Sequence, residues 1–378
     1  MKIHCAIVIS LILASVASAQ PQNVLAIDPA SHIQLTLNTD EAEAVLAILD
    51  KRAAGTEVTD ADWQHLFATE PYVRLKKREV AMHRDFTEDD FKKFVLSPEL
   101  APKASALRHT LDAWKRTDLN ASARCVLAYL PEQATIKAKV FPEIKPKTNS
   151  FVFDTQTDPA IFLYLDPEKS AAKFENTVAH ELHHIGYASI SSIAEATQKD
   201  VPPNARPAVL WMGSFGEGFA MLAAAGGPDV DPHAASSAQE HARWDHDLAN
   251  FNQDLGSLQQ FFLDIIDEKL VGPDKIGEKA STFFGDAQGP WYTVGYKMAV
   301  VVEKRFGRKV LIDCMLDPRE LLARYNQAAA DLNRHGAKLA VWSPELMQRI
   351  ALRNTLTDRS FCLLFVTLPP RLPFPIIE

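Results

Sequence analysis

The chain has 378 residues, 47% hydrophobic and 23% charged, a balance that excludes a disordered or fibrous protein. Its 40 Lys and Arg against 48 Asp and Glu leave a net charge of −8, without a polybasic tract. Nucleic acid and anionic membrane surfaces are therefore not expected partners.

The opening residues, MKIHCAIVISLILASVASAQ, run from a basic start through an apolar stretch to Ala17-Ser18-Ala19. This is the pattern of a cleaved secretory signal over 1–19, and its apolar run is shorter than the roughly 20 residues of a bilayer span. It implies an exported, periplasmic or secreted protein. No later segment reads as a membrane span, so none is expected in the mature chain. Cys125, Cys314 and Cys362 are too few for a disulfide framework and allow at most one bridge. Their wide spacing excludes a zinc site built on paired Cys-x-x-Cys knuckles.

Residues 20–36 read as a tether, and helical periodicity begins at Thr39. In TDEAEAVLAILDKRAAG, Ala44, Leu46, Ile48 and Leu49 share one side and Gly55 ends the run. TDADWQHLFATEPYVRLKKREVAM and TEDDFKKFVL follow as helices opened by Thr59 or Asp60 and by Thr87, and another covers 102–116. Near Arg124 the pattern turns to short β-branched and aromatic runs, RCVLAYLP, ATIKAKVFPEI, SFVFDT and AIFLYLDP, read as three or four strands. Asp166-Pro167-Glu168 then supplies a cap, a first-turn proline and an early acid for a helix reaching about Ser189. Helices are expected at about 209–225, 236–271, 290–306, 317–335 and 343–352, before a proline-rich tail over 361–378. The order of elements predicts a mainly helical α+β unit over 37–360, with N-terminal helices and a sheet to about 190 and a helical half after it.

The helix ending near Ser189 carries TVAHELHHIGY. His180-Glu181-Leu182-His183-His184 matches H-E-x-x-H. Residues i and i+4 of a helix project from one face, so His180 and His184 can aim at one metal ion. Zinc suits two such nitrogen donors. Glu181, about 100° round the helix, lies beside the ion and can accept a proton from water there. His183 faces away from the pair, into a supporting layer or into solvent.

Zinc in a catalytic site takes a third protein ligand. A histidine six residues after His184 would supply it in one known arrangement, but that position is Ile190 and the preceding glycine position is Tyr187. The downstream acids are Glu195, Glu217, Glu240, Glu268 and Glu278. Glu195 is too close for the chain to reverse, and the last three lie in polar surroundings. Glu217 is the sole acid in an apolar segment, Val209 to Gly227, where a carboxylate is costly unless it meets a cation. Gly216 and Gly218 beside it permit close backbone approach. Glu217 is the expected third ligand, and one Zn²⁺ per chain the expected cofactor.

HExxH followed by Glu217-Gly218-Phe219-Ala220 resembles the gluzincin group of zinc metallopeptidases. More narrowly, the chain is similar to a bacterial family of zinc-dependent peptidases, through these motifs and the blocks DWQHLFATEPYVRLKKRE and YTVGYKMA. The resemblance spans roughly 55–310. It implies a zincin-like fold, a small mixed sheet over the active-site helix with a helical half closing the cleft. One departure concerns Met221, which stands where thermolysin-like members place an Asp that supports a metal histidine. Related peptidases use a tyrosine or histidine of the later helices to stabilise the oxyanion. Here Tyr292 and Tyr296 stand one turn apart in GPWYTVGYKMAVVVEKRFG, and Tyr296 is the first choice of the two. The resemblance also implies an edge strand that pairs with an extended substrate, a part that strand 160–166 could take unless it lies inside the sheet.

The sequence thus points to an exported zinc-dependent peptidase that cleaves peptide bonds with zinc-activated water and Glu181 as general base. The alternative is an inactive scaffold of the same fold that binds a peptide or protein partner. A second metal patch at His233, His241, Asp245 and His246 is the weaker reading of a charged helix face.

Overall fold

The computed structural model describes residues 32–285 and 288–351; the expected signal, most of the tether, Cys362 and the tail lie outside the described residues. Strand β1 (Ile33–Leu37) leads into α1 (Asp40–Ala53), α2 (Asp60–Ala68), α3 (Glu70–Ala81), α4 (Glu88–Val95), α5 (Ala104–Trp114) and α6 (Leu119–Leu127). Strands β2 (Ile136–Glu143), β3 (Phe151–Phe153) and β4 (Ala160–Tyr164) follow, then α7 (Ala171–Ala188) and α8 (Ser191–Thr197). The remainder is helical: α9 (Arg206–Met212), α10 (Gly216–Ala225), α11 (Ala238–Ala249), α12 (Phe251–Ile266), α13 (Pro273–Ser281), α14 (Pro290–Phe306), α15 (Arg308–Leu316), α16 (Pro318–Arg334) and α17 (Pro344–Ile350). The fold is mainly helical α+β with a small mixed sheet.

The sheet has the order β1-β2-β4-β3. β1, β2 and β4 run parallel, with Ile33 opposite Ile136 and Val140 opposite Ile161. β3 pairs antiparallel with β4, Val152 opposite Ile161. β4 is therefore an inner strand, buried from Ala160 to Leu163. The edges are β1 and β3.

β2 shows how the sheet divides the molecule. Its side chains alternate between faces. Ile136 meets α7, where a methyl on Gly186 would stand 3.3 Å from it and 2.2 Å from Leu130. On the other face Lys139 pairs with Glu70 at 2.6 Å, and the Arg74 guanidinium lies 5.5 Å from the Phe141 ring centre. So α7 has the sheet on one side and α3 lies beyond the sheet.

Several expectations change. The tether does not reach residue 36, because Ile33–Leu37 pair with β2. RCVLAYLP is not a strand: Asp118 caps the Ala121 amide and Leu119, Ala123 and Val126 form the buried stripe of α6. The helix expected over 59–82 breaks at Thr69, whose backbone is extended. Asp166 does not cap α7; it closes a turn onto the Glu168 amide at 2.9 Å, and Ser170 caps the helix through the Lys173 amide. The stretch over 236–271 breaks at Asn250.

Arg206–Ala225 is long and apolar enough to cross a membrane by composition, which the sequence reading did not find, and 61% of an 18-residue apolar stretch of it is buried inside the protein. Core helices pass the same test, and this one carries Glu217. Cys125 and Cys314 are both free thiols, the first exposed and the second buried.

Candidate metal centre

Helix α7 is held rigidly. Phe174, Val178, Leu182 and Ile185 are buried along it, and Phe174 stacks on Trp114 with centroids 4.3 Å apart. His180 and His184 therefore share one fixed face. The opposing element is α10, whose first turn holds Glu217; a carboxylate there also suits the helix dipole. A 3-10 turn, Gly213–Phe215, precedes α10, and Gly226 at φ 87° ends it.

The three side chains converge. Nε2 of His180, Nε2 of His184 and Oε2 of Glu217 are each 3.1 Å from the other two. Among the described residues, this is the group of His, Cys, Asp and Glu whose donor atoms could hold one ion. Two imidazole nitrogens facing each other and one carboxylate oxygen need a shared cation, either a proton or a metal. Four-coordinate zinc, at about 2.0–2.1 Å from each donor, spaces its ligands about 3.3 Å apart, so the donor set fits it in chemistry and in size.

The electrostatics agree. Burial opposes charge on His184, but Glu217 outweighs it and pushes the imidazole up to about 9. Burial would raise Glu217; the two histidines outweigh burial and hold it well below the usual carboxylate range. The carboxylate is thus ionised and ready for a cation. Glu181 is half-buried beside the pair. Burial raises its carboxyl above the usual range, against the pull of His180 and His184.

The rest of the expected site divides. Tyr292 is 5% exposed, its ring stacks over His180 at 6.0 Å and 21°, and burial, with Glu217 and Glu181 nearby, raises its phenol well above the usual range. Tyr296 lies elsewhere: its hydroxyl reaches the Val230 carbonyl at 3.5 Å and its ring meets Trp244. The turn of α14 beside the histidines is thus the earlier one, carrying Tyr292, and not that of Tyr296, the first choice on sequence. His183 is buried, with both ring nitrogens unpartnered, and burial keeps it neutral. Nδ1 of His180 is also buried without a partner, as the Met221 departure suggests. Asp229 pairs with Lys304 and Asp231 with His241, so neither supports a metal histidine.

The second patch does not gather. His241 lies between Asp231 at 2.7 Å and Asp245 at 3.1 Å, while His233 packs on Trp244 and bonds Ser236. Glu240 caps α11 and pairs with Lys173.

What sequence reasoning missed is the contact that brings α14 to α10. Trp291, fully buried, sits 5.5 Å from Phe215 and is ringed by Phe261, Phe262, Phe283 and Phe284. Gly218 and Gly295 meet at the crossing, whereas Gly216 has open space around it. Small residues one turn from Tyr292 were the available signal.

No curated protein and no solved structure matches the chain. A family model described as "Putative zinc dependent peptidase" (DUF5700) matches residues 63–334, more than half of the chain. The convergence of His180, His184 and Glu217 inside that span accords with the match, and the chain belongs to this family of zinc-dependent peptidases.

Proposed function

We propose that the protein is an exported, zincin-like zinc peptidase whose hydrolytic centre is His180, His184 and Glu217 with Glu181. The observation that carries this is the triangle of donor atoms at 3.1 Å on a helix bearing HExxH. Zinc held by the three side chains supplies a Lewis acid for the scissile carbonyl and lowers the pKa of water.

Glu181 does the proton work. Its raised carboxyl suits a group that accepts a proton on its carboxylate oxygen and later gives it to the leaving amine. The phenol of Tyr292 lies at the centre and that of Tyr296 does not, so any phenol donor to a developing oxyanion is Tyr292. The apolar packing under α7 and α10 fixes these groups before substrate arrives. Export rests on the N-terminal signal pattern alone.

The test is Glu181→Gln. It is expected to keep zinc at the wild-type level and lose hydrolysis of a mixed peptide library. A wild-type protein that binds zinc and cleaves no peptide would favour the non-enzymatic scaffold.

A further inference from the structure

Tyr292 comes from a different helix than the three proposed ligands. Its position is dictated by the crossing of α10 and α14 one turn away. A methyl on Gly218 would stand 1.9 Å from the Tyr296 amide nitrogen, so the two backbones touch at that point. Glu217 precedes Gly218, and Tyr292 lies one turn before Tyr296. The crossing therefore sets the two side chains against each other with almost no freedom to slide.

The phenol ring is 5% exposed, and it stacks over His180 at 6.0 Å. Phe284 closes another side, with centroids 6.4 Å apart. A phenol is protonated at neutral pH, so the hydroxyl is a donor. Glu217, a neighbour of the phenol, is the acceptor this arrangement offers, and its Oε2 already faces both imidazoles.

Metal-bound histidines ordinarily give their second ring nitrogen to an acceptor. Here His180 Nδ1 is buried with no such partner. The support that orients the donor set must come from elsewhere. We propose that Tyr292 is a positioning residue for the metal centre: its hydroxyl donates to the Glu217 carboxylate and its ring braces His180, fixing both ligands before zinc binds. This deepens the peptidase reading above and rests on it. The reading itself needs only the three ligands and Glu181.

The experiment is zinc affinity of the full chain, measured by competition with a chelator. Tyr292→Phe is expected to weaken zinc by about 10- to 100-fold while keeping its helical signal. Tyr296→Phe, whose hydroxyl meets only a carbonyl of another loop, is expected to bind as the wild type does. In a Glu217→Ala background, where the phenol has no carboxylate to meet, the Tyr292→Phe loss should shrink to less than about 3-fold, because the two act as one unit. Should Tyr292→Phe fail to fold, Tyr292→Gln, which keeps a donor, is expected to bind zinc more tightly than Tyr292→Leu, and equal affinities of the two overturn the proposal. Wild-type zinc affinity in a folded Tyr292→Phe protein overturns the proposal even if its turnover falls, since that pattern belongs to an oxyanion donor. A wild-type chain without zinc affinity would instead remove the peptidase reading, before any variant is made.

Discussion

Gly218 and Gly295 touch backbone to backbone where α10 crosses α14. A methyl on Gly218 would lie 2.2 Å from the Gly295 carbonyl carbon, and one on Gly295 would lie 2.6 Å from the Phe215 carbonyl oxygen. The obstacles are main-chain atoms, which cannot swing aside as a side-chain tip can. Glycine inside a helix ordinarily costs about 0.5–1 kcal/mol relative to alanine, so its presence in both helices marks a need for proximity.

Gly218→Ala should therefore destabilise, against the usual sign for glycine to alanine in a helix. Overpacking costs about 1–3 kcal/mol, and an obstacle of backbone places this case at the upper end. Urea unfolding measures it. Because the change also pushes Glu217 from the histidines, zinc affinity should fall in the same variant. Gly216→Ala, with nothing within 4 Å, should cost far less.

Ser170 caps the site helix by accepting the Lys173 amide at 3.1 Å. Ser170→Ala should lower stability by about 1 kcal/mol. The two candidate histidine ligands lie further along α7, so zinc stoichiometry should not change. Parallel unfolding and metal assays separate the two effects.

Behind the sheet lies a buried ionic group that the proposed chemistry does not use. Glu41 and Glu143 are 0% exposed, Lys145 lies near both, and Arg78 and Glu79 lie near Lys145. Both oxygens of Glu143 lack a partner, and Glu41 has one bond, from the Ile144 amide. Burial pushes Glu41 up to about 8, against the Ile144 amide and Lys145, and burial with Glu41 raises Glu143 well above the carboxylate range. A folded-state pKa above the unfolded value gives stability that is full below the unfolded value, 4.5 for Glu41, and lost as pH rises toward about 8. Burial lowers Lys145 to about 8, so its penalty is relieved only above that pH. Stability should thus fall between about pH 5 and 8, and Glu143→Gln should flatten that fall. Urea midpoints across this range, equal in slope for the two proteins, would contradict it.

The candidate donor cluster was legible because its logic is local. Two histidines at i and i+4 share a face whatever the tertiary fold, and Glu217 stood out as a lone acid among apolar residues. Tyr292 and Tyr296 obey the same helical spacing, so the sequence could not say which turn faces the histidines; the Gly218–Gly295 crossing decides that. RCVLAYLP misled because a short apolar run suits strand and helix alike, and the deciding feature was the Asp118 cap. β1 was hidden in an expected tether, since IQLTL exposes every second residue and gains its partner from β2, a hundred residues away. Glu41 stands one turn before Ala44 on the apolar side of α1, and its partner there, the Ile144 amide, comes from a hundred residues away.

Zinc content of the purified full chain, after stripping with a chelator and reloading, tests the metal centre most directly. The expectation is about one zinc per wild-type chain, with binding weakened at least about 100-fold in His184→Ala and in Glu217→Ala. Full, tight loading of Glu217→Ala would contradict it, because the proposed site takes its third ligand from α10.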